Sequence, residues 1–231
     1  MDEPLENSIA VDLKITPRVG GYARGQEGLE QILRAALDIL IDDGSKALTF
    51  RNIAARCGLK AGNLAYYFPA KEDLLRDLLN AIVSGYEEAF AGIAHEADGS
   101  PSERLGHLIG FILSDITTKR TTRVFPELWA MANHDRYVQD RVEELYVRAR
   151  ASIEELIGEI NPALQADERA LAALFISASL EGTTVFAGHD KPWRKEMPAI
   201  EFLAIRSFVG LIETLQPGEI RTRLSSQLKT S

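Results

Sequence analysis

The chain has 231 residues and a mass of 25.5 kDa, a size between one large domain and two ordinary ones. Hydrophobic residues make up 45% of it, enough for a packed core, which excludes wholesale disorder. The formal net charge of −8 argues against nucleic acid as a partner when taken as a sum, but the charge is unevenly placed.

Between Gly44 and Lys71 stand five basic residues (Lys46, Arg51, Arg56, Lys60 and Lys71) and no acidic ones, so this window carries +5 and the rest of the chain −13. A cationic window in an anionic chain can hold phosphate locally while the remainder discourages unspecific adsorption. The longest uncharged apolar stretch, Ala170 to Leu180, has eleven residues. A bilayer-spanning helix needs about 20, so no membrane partner is expected. The beginning, Met1-Asp2-Glu3-Pro4-Leu5-Glu6, is acidic and lacks the apolar run of a secretion signal, and Cys57 stands alone, so an intrachain disulfide is impossible. These features fit a cytoplasmic protein.

In chain order, residues 1–24 show no periodicity and are expected to form a flexible tail. Leu29, Ile32, Leu33, Ala36, Leu37, Leu40 and Ile41 then follow helical spacing, and Gly44 supplies a left-handed stop. A compact unit follows from Leu48 to Phe68. Thr49 can cap a short helix whose Phe50, Ile53 and Ala54 share one face, with Asn52 completing an imperfect capping box. Gly58 permits the turn that ends this helix, and Leu59 plugs the corner. A second short helix is predicted from Ala61 to Tyr67, with Pro69 preventing its continuation. Two short helices joined by a Gly-containing turn describe a helix-turn-helix.

A long helix is predicted from Lys71 to about Glu96, through Leu74, Leu75, Leu78, Leu79, Ile82, Val83, Tyr86, Phe90 and Ile93. Ser100-Pro101 reads as the cap and first turn of the next. Further helices are expected over Pro101–Lys119, Thr122–Asn133, Asp135–Ile160, Ala166–Ala187 and Pro198–Leu215, with an aperiodic tail over 217–231. No alternating run looks like a strand, so the fold class is all-α.

The short second helix carries the chemistry. Lys60, Ala61, Gly62 and Asn63 form its first turn, where free N–H groups and the positive dipole end favour phosphate or a base edge. Gly62 removes bulk, and Asn63 can both donate and accept. Tyr66 and Tyr67 carry hydroxyls on aromatic bodies that reach phosphate or sugar, and Lys71 adds a phosphate-directed charge. With Lys46, Thr49 and Arg51, these residues make the expected DNA-binding set. The alternative from spacing alone is an ordinary helical hairpin within a bundle.

From Arg24 to Tyr86 the chain resembles the DNA-binding domain of the TetR family of bacterial transcriptional regulators, on Thr49, Ile53, Ala54, Gly58, Leu59, Gly62, Leu64, Tyr66, Phe68, Lys71 and Leu74. It departs from the family pattern at Lys60 and Ala70, where hydroxyl residues that cap the following helices are usual, and at Ala65, where an aromatic is common. The resemblance implies a three-helix DNA-binding domain over 25–70 and a helical effector-binding and dimerisation domain over 71–216. It also implies a homodimer formed through helices 166–187 and 198–215. The residues agree with that pairing, because each of the two helices has apolar stripes on two sides.

A palindromic duplex operator is the expected partner, read by two recognition helices about one DNA turn apart, with an unidentified small molecule as effector. Aromatic and neighbouring residues of the middle helices, Phe111, Phe125, Trp129, Met131, His134, Phe175, Phe186 and Trp193, are candidates to line the effector cavity. Arg120 and Arg123 could pair with an anionic effector. No histidine spacing suggests a metal, and neither a nucleophile elbow nor a phosphate-binding glycine loop is present, so no metal, cofactor or catalytic residue is expected. Two alternatives stay open: an activator of the same fold, and a helical ligand-binding protein or enzyme that never meets DNA.

Overall fold

The computed structural model describes residues 11–17, 23–95 and 98–221. Among them every regular element is helical. The α-helices are α1 (Ala23–Asp42), α2 (Phe50–Arg56), α3 (Ala61–Tyr67), α4 (Lys71–Ala94), α5 (Pro101–Ile116), α6 (Lys119–Ala132), α7 (Arg136–Ile160), α8 (Ala166–Ala187) and α9 (Met197–Thr214). Short 3-10 turns lie at Ser45–Ala47 and Arg194–Glu196. The expected boundaries hold to within a few residues except between α5 and α6. There the break falls at Thr117-Thr118, whose hydroxyls turn back onto the carbonyls of Ser114 and Asp115, and α6 starts earlier than its apolar pattern.

Two compact units share the chain, and they are not consecutive in it. One lies within Ala10–Glu88 and Lys119–Tyr146, the other within Ala89–Thr118 and Val147–Ser231. In the first, Ile32, Leu33, Ala36 and Leu40 of α1 are buried together with Leu48, with Ile53 and Ala54 of α2, with Leu64 and Phe68, and with Leu74 and Leu78 of α4. Helix α6 packs on α1, so a segment from the later half of the chain joins the unit that carries the helix-turn-helix.

In the second unit α5 packs against α8 and α9. Two glycines on α5 permit this: a Cβ on Gly106 would press on Ile205, and one on Gly110 would meet the Glu201 carboxylate. Ser100 and Glu103 form a capping box at the start of α5, and Gln165 with Glu168 another at the start of α8. Among the described residues α8 is the one helix long and apolar enough to cross a bilayer, but Glu168 and Glu181 interrupt it.

Both expected tails are partly folded. Residues 11–17 lie against the first unit with Val11 and Leu13 buried, and the Lys14 N–H donates to the Ala81 carbonyl of α4 at 3.0 Å. Beyond α9, the Gly218 N–H donates to Glu168 Oε1 at 2.7 Å, and Arg221 pairs with Asp167 at 3.2 Å. Neither segment has helical periodicity, which is why each reads as a tail. What holds them is contact with residues distant in sequence. The remaining parts of the tails, 1–10, 18–22 and 222–231, lie outside the described residues.

Candidate nucleic-acid interface

The corner of the helix-turn-helix is built from local chemistry. Thr49 is extended and its hydroxyl accepts from the Asn52 N–H at 3.2 Å, while the Asn52 amide donates to the Ala47 carbonyl at 2.8 Å. Asn52 therefore ties the helix to the preceding turn and does not return to the Thr49 N–H as a full capping box would. Gly58 has φ +66°, in the left-handed region, and the Leu59 N–H closes onto the Ala54 carbonyl at 2.8 Å. Lys60 occupies the cap position of α3 without a side-chain bond, as expected where a hydroxyl is missing.

Around this corner Lys46, Thr49, Arg51, Lys60, Gly62, Asn63, Tyr66 and Lys71 are all exposed, and Tyr66 is 87% exposed. A tyrosine held that far into water on a helix whose Leu64 is fully buried has its aromatic face free for a partner. The Ala61 side chain lies outside the described set, although its backbone opens α3. Arg56, also in the basic window, is engaged within the fold, bonded to Asp42 at 3.2 Å and Asp43 at 2.9 Å.

Tyr67 differs from the other members of the expected set. It is half-buried, and its hydroxyl lies where a side chain on Gly28 of α1 would stand. Its ring meets that of Tyr66 edge to face at 5.6 Å, so one tyrosine braces α3 on α1 while the next projects outward.

The base of the corner is also held from α6. The Glu127 carboxylate accepts from the Ser45 N–H at 2.9 Å, and bonds from the Ser45 hydroxyl and N–H lower its pKa. Lys119 pairs with Asp42 at 2.8 Å, and Asp42 passes the contact on to Arg56 at the end of α2. Sequence reading missed Glu127 and Lys119, because an isolated acid or lysine on an exposed helix face carries no signal of its partner. The Cys57 thiol lies 3.6 Å from the Gln31 carbonyl, and burial pushes its pKa up, which disfavours the reactive thiolate.

The expected effector residues divide between the two units. In the first unit, Phe125 is buried on α6 and its ring neighbours Tyr86 at 5.6 Å, Trp129 at 6.5 Å and Tyr146 at 6.4 Å. The Trp129 indole N–H donates to the Tyr146 hydroxyl at 2.8 Å. Tyr86 and Tyr146 were not in the expected set. His134 is exposed beyond α6, and Met131 is half-buried. In the second unit, Phe111 meets Phe90 edge to face at 5.9 Å. Phe175 and Phe186 stand outside the packed interior of α5, α8 and α9, at 55% and 62% exposed, and Trp193 is exposed beyond them. Of the two arginines, Arg123 is exposed and Arg120 half-buried. Among the described residues no group of His, Cys, Asp and Glu side chains could hold a metal ion.

The family model of bacterial regulatory proteins of the tetR family matches residues 32–78, which contain the corner described above. A second, of the BetI-type transcriptional repressor C-terminal region, matches residues 101–203. The chain is 27% identical over 158 residues to the HTH-type transcriptional regulator BetI of Stenotrophomonas maltophilia, covering 66% of this chain and 77% of that one. It is 25% identical over 154 residues to BetI of Klebsiella pneumoniae, with the same coverage. Among solved structures, a TetR-family protein of Mesorhizobium loti superposes with a TM-score of 0.68 at 15% identity over 82% of this chain and 98% of that one. A protein of Saccharomonospora viridis described as a transcriptional regulator, solved in complex with choline, gives 0.64 at 19% identity over 81% and 96%. The capped corner, the two family matches and the shared fold lead to one assignment: the chain is a DNA-binding transcriptional regulator and belongs to the TetR family.

Proposed function

We propose that the protein is a cytoplasmic, homodimeric repressor that grips a palindromic operator and is released from it by a small molecule. The observation that carries the DNA side is the exposed rim of Lys46, Arg51, Lys60, Asn63, Tyr66 and Lys71 on a corner whose interior is fully packed. In this reading the cations position the domain on phosphates, as does the Thr49–Arg51 start of α2, and Asn63 and Tyr66 reach base edges across the open surface at Gly62. Tyr67 supports α3 and contributes through position. The DNA-binding domain is the expected 25–70 segment, braced by α6.

The dimer reading rests on α8 and α9. Leu174, Phe175, Val185 and Phe186 of α8 and Phe202, Leu203 and Leu211 of α9 are exposed, and seven large apolar side chains on two helices of one unit form a face that a second copy would cover. Symmetric pairing then sets two recognition helices about 34–36 Å apart for successive major grooves.

The effector reading rests on the rings of Tyr86, Phe125, Trp129 and Tyr146. Aromatic faces with two phenol hydroxyls suit a compact organic cation, such as a quaternary ammonium. The choline carried by the Saccharomonospora viridis protein supports choline as the first probe. Footprinting of the purified protein on the intergenic DNA beside its own gene, repeated with choline, tests the whole proposal. A protected palindrome that choline releases is the expected result. Protection no better than on random duplex at moderate salt would sink the operator reading, and a footprint indifferent to choline would sink the effector class.

A further inference from the structure

Residues 11–17 are tied to the first unit by four kinds of contact. Val11 and Leu13 are buried while Asp12 and Lys14 face out, the alternation of an extended segment lying on a surface. The Lys14 N–H bonds the Ala81 carbonyl of α4, which fixes the register along that helix. Gly85 lies beneath the segment, and any side chain there would run into the Asp12 carbonyl oxygen and press on Val11. The Asp12 carboxylate takes both terminal nitrogens of Arg34 on α1, at 2.8 and 3.2 Å, and Lys14 pairs with Glu88 on α4 at 2.6 Å. Arg34 is itself held by Glu30 one turn earlier, at 2.9 Å, so its fork is already oriented. The Arg120 guanidinium of α6 adds a smaller favourable field at Asp12.

One extended segment thus touches α1 through Arg34 and α4 through Ala81, Gly85 and Glu88. We infer that residues 11–17 act as an intramolecular clasp that fixes α1 on α4 and thereby holds the recognition helix α3, which lies between them in the chain, in its DNA-binding orientation. Helix faces joined by apolar contacts can slide past one another, and a strap with a main-chain bond and two ion pairs opposes that slide. Both ion pairs are solvent-exposed and each is weak, so the clasp is releasable. Releasing it spreads the corner over several orientations, and apparent operator affinity falls in proportion to the fraction that remains competent.

Two full-length variants test this from opposite sides. Gly85→Leu keeps α4 a good helix but fills the seat of the arm. The double substitution Val11→Asp with Leu13→Asp removes the arm's apolar anchors and leaves α4 untouched. Trypsin cleavage after Lys14 reports docking, and gel shift on the duplex that the wild-type protein footprints reports orientation. Circular dichroism and light scattering check that helix content and assembly are retained. In both variants, cleavage after Lys14 should speed up at least tenfold and the operator Kd should rise at least fivefold. If the arm is freed but operator Kd stays within twofold of wild type, the clasp has no bearing on DNA binding and the inference is wrong. Unchanged cleavage in both would equally overturn it, since the arm would then not be held by these contacts. Neither readout involves the effector, so the outcome is independent of whether choline releases the operator.

Discussion

Tyr66 and Tyr67 are adjacent in sequence and opposite in environment, one almost fully exposed and the other lying on Gly28. Tyr66→Ala should weaken operator binding about tenfold, equivalent to about 1.4 kcal/mol, with the melting temperature unchanged. Tyr67→Ala should do the reverse in first order, lowering stability by about 2 kcal/mol through lost packing of α3 on α1. Gel shift and thermal melts on both variants separate the two roles. Glu127 offers a third single-residue test. Its folded-state pKa is depressed by the Ser45 hydroxyl and N–H, so its contribution to stability is complete above the ordinary value of 4.5 and is lost as pH falls through the lower folded value. Wild type should therefore outlast Glu127→Gln by about 1 kcal/mol at pH 7, with the gap closing below pH 4.5, as read from melts across that range.

Among the helices, α3 is short and lacks a side-chain cap, because Lys60 occupies that position with extended backbone and no bond to offer. Lys60→Ser should stabilise the protein by about 1 kcal/mol while weakening operator binding, since the cap is gained where a phosphate-directed cation is lost. Thermal melts and gel shift on the same variant would show the opposite signs. Helices α8 and α9 pose a different problem. Phe175 lies edge to face with Phe208 at 6.0 Å, yet Phe175 and Phe202 remain 55% and 61% exposed. In the proposed dimer, Phe175→Asp with Phe202→Asp should leave a folded monomer, measured by light scattering, because a charge at the centre of an apolar interface cannot be desolvated without a partner. A dimer that survives both changes would place its interface elsewhere.

For the whole molecule, the uneven charge decides how DNA binding responds to salt. Lys46, Arg51, Lys60 and Lys71 are exposed on one corner, and a dimer would present them twice. Neutralising about eight phosphates gives a log–log slope of operator affinity against salt on the order of −7, measurable by gel shift or fluorescence anisotropy. A slope near zero would mean that these cations do not meet phosphates.

The nine helices of the described residues, the Thr49 cap, the left-handed glycines at Gly44 and Gly58 and the exposed rim are legible in the sequence for a common reason. Each depends on bonds and periodicities that close within a few residues, where local propensity and capping dominate. The docking of Val11 and Leu13, the reach of Glu127 to Ser45 across 82 residues and the gathering of Tyr86, Phe125, Trp129 and Tyr146 were not legible. The exposure of Phe175 and Phe186 was not legible either, because an aromatic at helical spacing looks the same whether it turns inward or out. Such contacts close long loops, and the free energy that selects one partner over many similar ones comes from the packing of whole faces, which no short stretch of chain encodes.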